Sequence, residues 1–79
     1  MPYVERTDDE LAREFIAHLG CLPNQDAVSI SEGNTAYSPR ELAQAIEKRE
    51  EPLFTRWMET IRLLAQEEKI DPVEWLRRR

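Results

Sequence analysis

Cysteine occurs once, at Cys21, so no disulfide framework can form. Glycine occurs twice, at Gly20 and Gly33, too far apart for any glycine-rich phosphate loop. His18 is the single histidine, and with Cys21 it leaves a structural zinc site two ligands short of the usual four. No apolar run exceeds three residues, as in Phe15-Ile16-Ala17, against the ~20 that a membrane-spanning helix needs. The start, Met1-Pro2-Tyr3-Val4-Glu5-Arg6, has no basic segment followed by an apolar one, so no signal peptide is expected. Together with one unpaired cysteine, this makes the cytoplasm the expected compartment.

Basic residues are also outnumbered, 11 to 16, for a net charge of -5. The excess is local. Residues 1–38 hold seven acids against Arg6 and Arg13, and residues 39–79 hold nine charges of each sign. Phosphate and anionic lipid would be repelled by the first half. Leu, Ile, Val and Phe number 18 of 79 residues, just above the ~20% below which a charged chain stays disordered. One small domain over residues 1–79 is therefore expected, with a modest core and residues 1–6 frayed.

Three segments open with helix-capping punctuation. In Thr7-Asp8-Asp9-Glu10, Thr7 and Glu10 have the spacing of a capping box, and the acids suit the positive end of a helix dipole. Leu11, Ala12, Phe15, Ile16 and Leu19 then share one stripe, and Gly20 suits a left-handed stop, which predicts a helix over 8–19. In Tyr37-Ser38-Pro39-Arg40-Glu41-Leu42, Ser38 caps, Pro39 takes the first turn, Glu41 closes the box and Tyr37 staples to Leu42. That helix runs to Arg49 or Glu50 and is broken before Pro52. A third helix over 53–68 follows, with Leu53, Trp57, Ile61 and Leu64 as its inward row and Leu63 outside it. In Ile70-Asp71-Pro72-Val73-Glu74-Trp75, Asp71 and Glu74 predict a third box and a short helix over 72–78. Its basic end, Arg77-Arg78-Arg79, matches the negative end of the dipole.

Residues 21–37 form a long connection. Val28 and Ile30 alternate with Ser29 and Ser31, which permits a short strand or hairpin, and a one-turn helix from Asn24 is equally permitted. The expected fold is all-α: a small four-helix bundle with a short C-terminal helix and a long, partly ordered connection between the first two helices. Leu11, Phe15, Ile16, Leu19, Leu42, Ile46, Leu53, Trp57, Ile61, Leu64, Ile70 and Trp75 are its expected core.

Little here carries chemistry. His18 and Cys21 have no orienting partner, and capping accounts for Glu10, Glu41, Asp71 and Glu74, so neither an enzyme, a cofactor nor a metal is expected. The size, acidity and helix order resemble acyl carrier proteins, whose prosthetic arm sits on a serine at the start of the second helix. The carrier Asp-Ser-Leu is here Tyr37-Ser38-Pro39, and Ser38 already caps a helix, so that function is not adopted.

The reading that remains is a small acidic non-enzymatic interaction or regulatory module. Its expected surface is the acidic face of Asp8, Asp9 and Glu14 together with Leu63 and Leu76, and its partner is another, basic protein or a second copy in a homodimer. The alternative is an antitoxin-like DNA-binding regulator using the second and third helices, with Arg56 and Arg62 facing DNA. An acidic turn at Glu50-Glu51 and a sequence pI near 4.8 oppose nucleic acid as a partner.

Overall fold

The computed structural model describes residues 5–79. Its elements run α1 (Asp8–Gly20), β1 (Ile30–Glu32), β2 (Thr35–Tyr37), α2 (Pro39–Glu47), α3 (Leu53–Glu68) and α4 (Pro72–Arg77). Of the 1–6 stretch expected to fray, residues 1–4 lie outside the described residues. Arg6 is held by ion pairs to Glu10 and Asp71.

The first two capping boxes form. The Glu10 amide donates to Thr7 Oγ1 at 3.2 Å, and the Thr7 amide donates to the Glu10 carboxylate at 3.4 Å. Ser38 and Glu41 exchange the same pair of bonds at 3.2 and 3.0 Å. The third box does not form. Asp71 accepts from the Val73 amide at 3.0 Å and from Arg6, while Glu74 turns outward to Arg78. A carboxylate one methylene shorter than glutamate reaches its second amide most easily, and Arg6 takes its other oxygen.

Helix ends depart further from expectation. Gly20 lies inside α1 rather than at a left-handed stop, and Cys21 caps in a right-handed conformation. The Gln25 side-chain amide donates to the Leu19 and Leu22 carbonyls at 2.8 and 2.6 Å, satisfying groups that a glycine cap would otherwise serve. α2 stops at Glu47, short of the predicted Arg49 or Glu50, because Arg49 takes a left-handed conformation and the Glu50 amide returns to the Ala45 carbonyl. Lys69 ends α3 in the same way. Both are glycine-type terminations made without glycine.

The all-α four-helix bundle is corrected by the long connection, which contains a two-stranded antiparallel sheet. Ile30 pairs with Tyr37, Ser31 with Ala36 and Glu32 with Thr35. Gly33, at φ 58°, supplies the positive φ that the two-residue turn requires. Ile30 and Tyr37 pack on the helical core, so the hairpin is fastened at one end by burial and runs directly into the Ser38 cap. The helices do not form a symmetric bundle either. α1 is central, packing most extensively on α2 and α4, while α2 and α3 meet only lightly and α4 has six residues.

The core joins Leu11, Phe15 and Leu19 of α1 to Leu42 and Ile46 of α2, and to residues of α3 and α4. On α3 Leu53 is buried in the first turn, as expected, and beyond it the buried row is Phe54, Met58, Ile61 and Ala65, which share about 60° of arc at ~100° per residue. This is rotated by roughly 70° from the predicted row. Leu64 is therefore exposed, Trp57 is half-buried, and Leu63 points away from the core. Trp75, Ile70 and Ile16, also expected in the core, are half-buried. Val73 and Leu76 replace them as the buried face of α4.

Candidate functional site

The rotation of α3 opens a groove. Trp57 and Leu64 are carried to the edge of the core facing α4, where Trp75 lies on the other side. Phe15 and Leu19 of α1 form the floor, and Leu22 and Ile30 close the end nearest the hairpin. The cavity measures about 240 Å³ and its lining is almost wholly apolar, with Thr60, His18 and Arg79 at the lips.

The two tryptophans are held differently. Trp75 is clamped: its indole N–H donates to Glu68 at 2.6 Å, and the Arg79 guanidinium lies 4.4 Å over its ring while bonding the same Glu68. That arrangement combines a hydrogen bond, a cation–π contact and an ion pair. Trp57 packs on Phe15 with ring centroids 5.0 Å apart. Its indole nitrogen is buried with no hydrogen-bond partner among the described residues.

The predicted surface residues are not brought together. Asp8 pairs with Arg62 at 2.7 Å, Asp9 with Arg49, and Glu14 with Arg77 at 2.9 Å. Each of these three acids thus meets an arginine from the second half of the chain, so the expected free acidic face is occupied from within. Leu63 is exposed, at 56%. Leu76 is not a surface residue: it is 2% exposed and lies under the groove. Leu63 and Leu76 therefore do not form one exposed patch.

The other candidates are placed as follows. His18 and Cys21 line one lip of a neighbouring cavity of about 250 Å³ beside Glu14 and Arg77. Among the described residues no three His, Cys, Asp or Glu side chains are placed to hold a metal ion. Ser38 is 2% exposed and bonded to Glu41, which leaves no room for a prosthetic arm. Arg62 is turned onto α1, donating to the Arg6 carbonyl at 2.7 Å and to Asp8, with its Nε buried 4.0 Å from Glu5. Among the described residues no helix is long and apolar enough to cross a membrane.

Four carboxyl groups are shifted. The Ser38 and Thr7 backbone amides hold Glu41 and Glu10 below the usual carboxylate range, and Arg6 adds to the effect on Glu10. Hydrogen bonds from Thr55 do the same for Glu51. Arg6, followed by the Val73 amide, lowers Asp71 against the opposing effect of burial. All four shifts belong to caps or ion pairs rather than to the groove.

No protein family, curated protein or solved structure matches the chain. The groove is the apolar concavity around which Trp57, Leu64 and Trp75 gather. Sequence reasoning missed it because the residues that form it were assigned to the core. The available signal was the width of the α3 apolar arc, where Phe54, Met58 and Ala65 compete with the chosen row.

Proposed function

We propose that the chain is a non-enzymatic protein-interaction module that receives a segment of its partner in the groove between α1, α3 and α4. The observation that carries this reading is the position of Leu64, Trp57 and Trp75, three large apolar side chains left partly open around one cavity. Aromatic anchors around a concave apolar site are the usual centre of a protein interface. At about 240 Å³ the cavity is smaller than typical small-molecule sites of ~300–1,000 Å³, while a partner's side chain fits within it. The cytoplasm is the proposed compartment, supported by the exposed, unpaired thiol of Cys21.

A photo-cross-linking residue at position 64, with a control at Lys48 on α2's far end, tests this in the source cells. Discrete protein adducts at position 64 and none at 48 are expected. No adduct at 64, or the same adducts at both positions, would refute the groove as a docking site.

A further inference from the structure

We propose that the outer face of α3 pairs with the same face of a second copy of this chain, the two helices running antiparallel about a two-fold axis. This surface is distinct from the groove and does not rest on it.

Arg56, Thr60, Leu63 and Glu67 are all exposed on α3. At ~100° per residue they share about 60° of arc, centred about 160° from the buried row. Their separations of four, three and four residues are those of a coiled-coil seam. Leu63, 56% exposed, is the large apolar residue of that seam. An exposed leucine alone is ordinary, and it is the residues in line with it that point to a partner.

The spacing reads the same in both directions. With the two-fold axis midway along the seam, Leu63 of each copy lies against Thr60 of the other, and Arg56 of each lies against Glu67 of the other. The middle of the contact is then leucine on a threonine methyl, and its two ends, about 16 Å apart, are Arg–Glu pairs. A parallel pair would set Arg56 against Arg56 and Glu67 against Glu67. The charges therefore specify the direction of the second helix as well as its identity.

The borders of the seam agree with this pairing. The two-fold axis brings the two Leu64 side chains to one border and the two Glu59 side chains to the other, each Glu59 standing one turn from its own chain's Arg56. The helices overlap over about 14 residues, or roughly 21 Å. One helix pair is a small interface, so the dimer is weak and reversible.

Sedimentation velocity of the full chain from about 10 μM to about 1 mM tests this, and a monomer–dimer equilibrium is expected. Leu63→Glu should leave monomer throughout. Arg56→Glu and Glu67→Arg should each weaken association by about tenfold, because each makes both end contacts repulsive. Glu67→Arg also lowers the net negative charge, so general repulsion cannot account for its loss. Mixing the two single variants should restore association, since both end contacts of the mixed dimer again join opposite charges. The double variant should associate like the parent chain. Circular dichroism melts confirm that every variant folds.

A chain that stays monomeric over the whole range would overturn the proposal, and so would a dimer that survives Leu63→Glu. Single variants that weaken association without recovering on mixing would deny the antiparallel register and overturn it too. Photo-cross-linking from position 63 that returned adducts with other proteins and no doubled chain would assign the face to a different partner, with the same consequence.

Discussion

Arg6 joins two helix starts through one guanidinium: it bonds Asp71, the N-cap of α4, and Glu10, the capping-box residue of α1. Arg6 and Asp71 are 65 positions apart in sequence, and the Asp71 side chain is 9% exposed. The pair therefore closes the domain, tying the chain before α1 to the chain after α3. Removing Asp71 takes away a cap and leaves Arg6 without its main partner, so Asp71→Ala should cost about 1–3 kcal/mol. Arg6→Ala should cost a similar amount, because it strands a largely buried carboxylate. Urea denaturation of both single variants and the double variant should show coupling of at least ~0.5 kcal/mol. Additive losses would mean that the contact is not energetically shared.

Acid should unfold this domain through its caps. Glu10, Glu41, Glu51 and Asp71 are all held below their ordinary values in the folded chain. The unfolded chain takes up these protons first, near pH ~4, so it binds more protons than the folded chain there and stability rises with pH. The contribution of these groups is complete above about pH 5 and is lost as the pH falls through their lowered values. Melting temperature should be flat from pH 7 to about 5 and fall below about 4. Asp71→Asn should start lower at neutral pH and lose less on acidification.

The face that α3 buries can be read by truncation. Met58 is 1% exposed, and Met58→Ala should cost about 2–5 kcal/mol. Leu64, 36% exposed on the groove, should cost under about 1.5 kcal/mol on the same change. Leu76→Ala, from a side chain 2% exposed, belongs with Met58. Thermal or urea unfolding that ranked Leu64 above Met58 would place the groove inside the core and remove the docking site.

These contrasts explain what was legible from the sequence. Thr7, Ser38 and Asp71 marked the starts of α1, α2 and α4 because caps act over three or four residues, a range visible in the chain itself. The stops were harder. Arg49 and Lys69 take left-handed conformations that no residue preference announces, and Gln25 caps α1 from across a turn. The hairpin was one of two permitted outcomes, since three-residue strands are settled by Ile30 and Tyr37 reaching the core. The rotation of α3 was hidden because its apolar arc is wider than its contact, and neighbours decide which part is covered. The cross-chain pairing of Asp8, Asp9 and Glu14 is purely tertiary, and it neutralises a face that reads as acidic in the sequence.

The two glycines provide the last prediction, and it separates local from tertiary control. Gly20 reads as a left-handed helix stop, yet it is helical, solvent-exposed and without any atom within 4 Å of where a Cβ would sit. Alanine there removes backbone freedom from the unfolded chain and should stabilise the domain by about 0.5–1 kcal/mol. Gly33 also has open space around it, but its φ is 58°, where an L side chain meets its own backbone. Gly33→Ala should therefore destabilise the domain by about 1 kcal/mol or more, and the loss should fall on the hairpin. Hydrogen exchange locates it: the Ser29 amide, which donates to the Tyr37 carbonyl at 3.1 Å, should exchange faster while the amides of α1 keep their protection. A stabilised Gly33→Ala, or a destabilised Gly20→Ala, would reverse the assignment of helix to one glycine and turn to the other.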